Sequence, residues 1–423
     1  MKKILLTSAL CATYLFGDAA TVLPVEKRTF DQSKYIPDIS VILDASYVNR
    51  SKTNDEVQHL ELPGVAHGLL GSHSHDGNEH ATYNANQGFN LNYAELVLSS
   101  SVDPFLSLDA VLHFSENGVE IEEAYFTTTA LGNGLRFRGG KLLSNFGYIN
   151  AQHHHYWDFG DMPLVYEAFL GMHGINELGA QIQWTAPTPF YLMAGFEVLQ
   201  GANEQMFGNE TIGDVEDPIA KGKDAPTLFV GYLKSSVDVG DTTFFGGLSY
   251  AQGTSRIDHT TDETPHAFAG DSKLYGADFV VLHSFDSYSS IKWQSEWLSR
   301  DMDGKQYNLN GAGVVVSSPD MTKEQSGLYS QLIYTHDKSW KAGVRYDSIY
   351  KNDVTANGAN RNLTDDFNKY SVMVEYHTSE FARFRLQYNR NEALYNEDDR
   401  KQKIDTIMLQ ANIAIGAHAA HSF

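Results

Sequence analysis

Histidine is the residue best able to do chemistry in this chain, with 17 copies in 423 residues. Many lie between segments of alternating polarity: His59, His67, His73, His75, His80, His153, His154, His155, His173, His259 and His266. One such stretch reads Gly71-Ser72-His73-Ser74-His75-Asp76-Gly77-Asn78-Glu79-His80. In extended backbone His73 and His75 point the same way, and Asp76, Glu79 and His80 can close around an ion. A second stretch reads His153-His154-His155, followed by Asp158 and Asp161. Neutral imidazole with carboxylate suits Zn²⁺, and also Cu²⁺ or Ni²⁺. The sequence therefore predicts weak, multi-site metal capture at His73, His75, Asp76, Glu79, His80, His153, His154, His155 and Asp158. No cofactor is required on this reading, and any Zn²⁺ is weakly held. The competing reading is a set of solvated or pH-responsive loop side chains.

Catalysis has less support. His113 and His283 lie in strand-like segments, and Ser107 and Asp109 share a face with His113. Same-face neighbours on a strand are frequent, and no nucleophile motif surrounds any serine. A protein that is not an enzyme is expected. A further group of charges alternates with apolar residues: Arg136, Arg138, Lys292, Glu296, Arg345, Asp347, Glu375, Arg383 and Arg385. These predict the charged lining of a pore, or simply a solvated lumen.

The elements that would carry these residues are strands. Near the C-terminus Ile407, Leu409, Ala411, Ile413 and Ile415 alternate with Gln410, Asn412 and Gly416, and the chain ends in Phe423. A period of two with one apolar and one polar face marks a strand between lipid and water. Phe384, Leu386 and Tyr388 alternate with Arg383, Arg385, Gln387 and Asn389 in the same way. About sixteen segments qualify, from 38–48 to 404–423. The charged face belongs inside, because a charge at the bilayer midplane costs about 2–4 kcal/mol. Short connections rich in Gly, Pro, Asn and Asp, such as Gly132-Asn133 and Ala186-Pro187-Thr188, alternate with long ones near 49–88, 144–173, 200–225, 254–271, 300–325, 351–367 and 392–403. Only Glu116-Asn117-Gly118 breaks this alternation. The pattern predicts an all-β fold: a transmembrane antiparallel up-and-down β-barrel of about 16 strands. In the third extracellular connection Asp161 suits a helix N-cap, Pro163 the first turn and Gly171 the stop. Leu164, Phe169 and Leu170 are too apolar for a loop in free water, so this third extracellular loop is expected to fold into the lumen.

Lys2 and Lys3 precede an apolar run from Ile4 to Phe16, with small residues at Gly17-Asp18-Ala19-Ala20. This reads as a signal peptide over 1–20, followed by a single barrel domain over 21–423. The only cysteine, Cys11, falls in that leader. The exported chain must then hold together without disulfides, which a closed barrel does through its hydrogen-bond ladder. Tyr (23) and Phe (23) far outnumber Trp (5), and the mean hydropathy is −0.34, as lipid-facing aromatics around a polar lumen require. The formal net charge of −22 argues against nucleic acid and mildly favours cations.

Gly88-Phe89-Asn90-Leu91-Asn92-Tyr93-Ala94-Glu95-Leu96, Asp158-Phe159-Gly160-Asp161-Met162-Pro163 and Trp184-Thr185-Ala186-Pro187-Thr188-Pro189-Phe190 carry a family resemblance, together with Pro37-Asp38-Ile39-Ser40 and Glu61-Leu62-Pro63-Gly64. The stretch from Pro37 to about Phe207 resembles bacterial outer-membrane proteins described as zinc-regulated, some of them labelled TonB-dependent receptors. TonB-dependent receptors carry an N-terminal plug and a barrel of about 22 strands. Here only about 17 residues separate the leader from the first strand. The resemblance implies a porin-like channel in the bacterial outer membrane for small-solute or metal-ion (zinc) entry, with His-rich extracellular loops. A general diffusion porin without a metal role and a surface receptor or adhesin are the alternatives. Outer-membrane lipid, small solutes and divalent metal ions are the expected partners, a homotrimer is allowed, and nucleic acid is not expected.

Overall fold

A computed structural model describes residues 36–416, apart from 68–82 and the single positions 117, 204, 263 and 397. The leader, the group His73, His75, Asp76, Glu79 and His80, and the terminal Phe423 lie outside the described residues. The compact unit that follows position 36 starts at Pro37.

Backbone alternation becomes one closed sheet. Its long strands are β1 (Asp38–Arg50), β2 (Gly88–Asp103), β3 (Leu106–Ser115), β4 (Gly118–Thr128), β5 (Leu135–Leu143), β6 (Asn176–Thr185), β7 (Tyr191–Leu199) and β8 (Leu228–Val239). They continue as β9 (Thr242–His259), β10 (His266–Ser284), β11 (Ser290–Leu309), β12 (Asp320–His336), β13 (Trp340–Ala356), β14 (Phe367–Ser379), β15 (Ala382–Asn391) and β16 (Ile404–Ile415). Two short pieces, Val315–Ser317 and Ala359–Asn360, complete the 18 strands of the sheet. Each long strand pairs antiparallel with its neighbours, and β1 closes the ring by pairing β2 on one side and β16 on the other. Closure leaves no ladder edge to be satisfied by water, which lipid cannot supply.

The two faces sort by polarity. On β16, Ile407, Leu409, Ile413 and Ile415 are exposed while Gln410 and Asn412 are buried. On β13, Val344 and Tyr346 point out while Arg345 and Asp347 point in; β15 repeats this with Phe384 and Leu386 against Arg383 and Arg385. Exposed Phe105, Phe190, Phe285, Tyr288, Trp340 and Phe381 gather at the short connections. They form the aromatic girdle expected at one membrane interface. The protein is a sixteen-stranded bacterial outer-membrane β-barrel.

Two expectations need correction here. The connections near 254–271 and 300–325 are mostly ladder: β9 and β10 stay paired out to His259↔His266, and β11 and β12 to Lys305↔Asp320. Beyond the lipid band neither face must be apolar, so the alternation fades in sequence while backbone pairing continues. After the short helix α1 (Asn54–Gln58), the third-connection helix, α2 (Leu164–Leu170), starts from Pro163 rather than Asp161, and no side chain of its own caps it. Gly171, with φ +74°, ends it as expected.

Two of the β-bulges in the N-terminal ladders alter the inward face. Asp44 pairs Tyr93 and Ala45 pairs Leu91, so Asn92 is the extra residue of β2. Val111 pairs Glu123 and Leu112 pairs Ile121, so Glu122 is the extra residue of β4. A bulge lets two successive side chains share one face. Asn92 and Tyr93 are accordingly both buried, and so are Glu122 and Glu123.

Candidate functional site

The connection 144–175 packs against the inward faces of strands from around the barrel. Its apolar residues Phe146, Leu164, Val165, Phe169 and Leu170 are fully buried in one cluster with Leu298, Tyr329 and Ile349 of the wall. Each such Leu or Phe is worth about 1.5–3 kcal/mol relative to exposure. Its polar atoms find wall partners. The Glu296 carboxylate of β11 accepts from Tyr148 N (2.7 Å), Ile149 N (3.0 Å) and Tyr166 Oη (2.6 Å), and also from Tyr329 Oη. Gly147, at φ +63°, lets the chain pass there: a Cβ would meet Tyr166 Oη at 2.0 Å and Glu296 Oε2 at 2.6 Å.

One end of this segment is tied by permanent charge. Asp161 pairs with Arg345 Nη2 (3.0 Å) and with Lys369 Nζ. Burial works against the Asp161 carboxylate, but Arg345 and Lys369 hold its pKa far below the usual carboxylate range. Arg345 also donates to Asp161 O and to Asp347 Oδ2 (2.9 Å each). Asp347 in turn accepts from Leu164 N at 2.9 Å, which supplies from the wall the side-chain cap that α2 lacks. Arg385 donates to Trp157 O (2.7 Å) and Glu375 Oε2 (2.8 Å), and Arg383 donates to His155 O (2.6 Å). Inside α2, burial raises Glu167 to about 7, with Lys369 pulling it down and Asp161 pushing it up.

The other end is tied by imidazole. Cross-strand pairing sets His113 of β3 opposite Glu95 of β2. His113 Nε2 lies 3.1 Å from Glu95 Oε2 and 2.9 Å from Glu122 Oε2. His153 reaches the same Glu122 oxygen through Nδ1 (2.9 Å) and Glu123 Oε2 through Nε2 (2.9 Å). His155 Nδ1 is 3.3 Å from Glu95 Oε2. Tyr93 stacks on the His113 ring with centroids 4.8 Å apart, fixing its plane. Burial opposes the His153 imidazolium, but Glu122 and Glu123 outweigh it and hold the pKa well above its usual value. A cavity of about 280 Å³ adjoins this cluster, lined by Glu95, Glu123, Tyr125, Arg138, His153 and His155 among others.

The expected metal group therefore divides. His153 and His155 come together, but with the wall glutamates. His154 turns away: it stacks on Tyr83 (4.2 Å), and its ring nitrogens face Tyr93 Oη and Gly160 O, each at 3.3 Å. Burial pulls His154 down to about 4, against the opposing pull of Asp44, so it stays neutral. Asp158 is also elsewhere, 2.7 Å from Lys292 Nζ and accepting from Gln331 Nε2 at 2.9 Å. Successive residues of a turn cannot all face one point, which is why the triple histidine separates.

The expected pore lining divides too. Arg136 and Arg138 keep solvent-accessible positions on β5, with Arg136 Nε donating to Gln183 Oε1 at 2.7 Å. Glu296, Arg345, Asp347, Glu375, Arg383 and Arg385 are instead buried, bonded to one another or to the 144–175 connection. Lys292 is partly covered by Asp158. Of the triad considered in sequence, Asp109 accepts from Ser99 Oγ (2.6 Å) and His113 faces carboxylates. Glu95, Glu122 and Glu123 went unnoticed in the sequence. The adjacent glutamates of β4 were a signal: without a bulge, one of them would face lipid.

Barrel, girdle and charged interior define the class, a porin-like outer-membrane β-barrel. A 45% identical relative is an uncharacterized protein of Aquifex aeolicus (strain VF5), matched over 395 residues, which are 93% of this chain and 81% of the relative. The chain belongs to that protein's family. No family model matches the sequence. Among solved structures it is similar to the outer membrane channel DcaP of Acinetobacter baumannii, with TM-score 0.50, 12% identity, and 90% of this chain and 99% of that one covered. It also aligns with a loop-deletion form of OmpT, an outer membrane protein of Vibrio cholerae, at TM-score 0.49 and 12% identity, over 90% and 99% of the two chains. At 12% identity the likeness to DcaP bears on the fold alone.

Proposed function

We propose that this protein is an outer-membrane channel for small solutes, divalent metal ions among them, with a lumen narrowed by the 144–175 connection. The observation that carries this reading is the fixation of that connection. Main-chain groups from Asn145 to Leu164 are bonded to inward side chains of β7, β11, β13 and β15, including Glu197, Glu296, Asp347 and Arg385. A segment held this way acts as a built constriction. The net charge of −22 favours cations at the mouth. The His-rich composition of 71–80 would capture metal ions, in keeping with the resemblance to zinc-regulated outer-membrane proteins. Planar-bilayer recording of the refolded protein tests the reading. We expect small, cation-preferring steps, and larger steps when 158–170 is deleted. Silent membranes with both forms would remove the channel, and equal steps from both would remove the constriction.

A further inference from the structure

We infer that Glu95, His113 and Glu122 of the wall, with His153 and His155 of the 144–175 connection, bind one dication of borderline softness, Zn²⁺ foremost. The site goes beyond the channel reading and differs in place from the stretch 71–80. The first support is geometric. Ligand atoms of Glu95, His113 and Glu122 lie within 4.8 Å of one another. The imidazole–carboxylate separations are 2.9–3.3 Å. Two ligands on a tetrahedral Zn²⁺ at about 2.0–2.1 Å stand about 3.3 Å apart, so these imidazole–carboxylate pairs already stand near ligand spacing, and a bound ion would draw the remaining pairs together.

The second support is chemical. One nitrogen, His113 Nε2, faces two carboxylate oxygens at once. A single proton there serves one oxygen well, whereas a metal ion serves all three atoms. His153, ligating through Nδ1, keeps its Nε2 against Glu123 Oε2 at 2.9 Å. That is the carboxylate–histidine–metal relay that fixes tautomer and ring orientation. Glu95 Oε1, on the carboxylate whose Oε2 faces His113 and His155, is buried and has no hydrogen-bond partner, so it is an unused acceptor beside the cluster. The adjoining cavity admits a partly hydrated ion. Neutral imidazoles and three glutamates carry enough negative charge to hold a dication. Because two ligands come from the connection and three from the wall, a bound ion cross-links them.

Calorimetry with Zn²⁺ and optical titration with Co²⁺, on the refolded full chain in detergent at neutral pH, decide the matter. We expect one ion per chain at this site, apart from any weak capture by 71–80, and a Co²⁺ spectrum of four- or five-coordinate type. Affinity should fall at least tenfold in Glu122→Gln and in His153→Ala, and stay unchanged in His336→Ala, whose exposed ring lies outside both metal-capturing sets. Heat-modifiable gel mobility confirms that each variant is folded. The Co²⁺ spectrum of the unmutated protein keeps the test decisive if a variant is not. No uptake at millimolar metal, an octahedral aquo-type spectrum, equal binding by Glu122→Gln, or loss of binding in His336→Ala would each overturn the site. Conductance of the metal-free protein tests the channel separately, so failure of one reading is distinguishable from failure of the other.

Discussion

The 144–175 connection is anchored at two ends by different chemistry. Around Asp161 the ties are guanidinium and ammonium to carboxylate, on β13 and β14. Around His153 the ties are imidazole to carboxylate, on β2, β3 and β4. Both ends are largely buried and both use side chains that a barrel turns inward. Only the imidazole end can exchange its protons for a metal ion. One end is therefore a permanent rivet, and the other can change strength with its surroundings.

The largest expected effect breaks the rivet. Arg345→Ala leaves Asp161 and Asp347 buried without their shared cation, which should cost about 3–5 kcal/mol. Urea titration of heat-modifiable mobility reads the loss. A change under 1 kcal/mol would mean that Lys369 alone holds the end. Next comes Glu167, on the same helix. Its folded pKa of about 7 lies above the usual carboxylate value, so the native state holds the proton more tightly than the unfolded state does. Stability should then fall as pH rises from about 4.5 through 7 and level off above. A shift of that size corresponds to about 3 kcal/mol. Glu167→Gln should flatten that slope and be the more stable form at pH 8. An unchanged slope would assign it to another group.

At the imidazole end, His153→Ala in metal-free buffer leaves Glu122 and Glu123 short of a partner. Unsatisfied buried acceptors cost about 1–3 kcal/mol, so this loss should be smaller than that of Arg345→Ala. Equal losses at the two ends would erase the distinction between them. The smallest effect is expected at His154→Phe. The ring already stays neutral and stacked, so the variant should lose about 1 kcal/mol for its hydrogen bonds and leave Zn²⁺ binding untouched. Weakened Zn²⁺ binding in His154→Phe would place that ring in the metal cluster after all.

Strand positions were legible because the two-residue period is local: lipid outside and polar groups inside leave Val344, Tyr346, Leu386 and Ile413 on one parity and Arg345, Arg385 and Asn412 on the other. The apolar run Leu164–Leu170 was legible as a short helix for a similar reason, since its burial requirement is written in consecutive residues. The start of that helix was misread because its capping anion, Asp347, comes from β13 and not from the preceding turn.

The candidate site was legible only in part. His153 and His155 stood out by type, but nothing near them in sequence names Glu95, His113 or Glu122. Those three meet through the β2–β3 register, the extra residue in β4 and the docking of the 144–175 connection. Sequence alone determined which residues face lipid, because a side chain's parity depends only on its own strand. Tertiary structure decided which inward residues touch. Register, bulges and loop docking are settled by packing among segments far apart in the chain, and no local period encodes that packing.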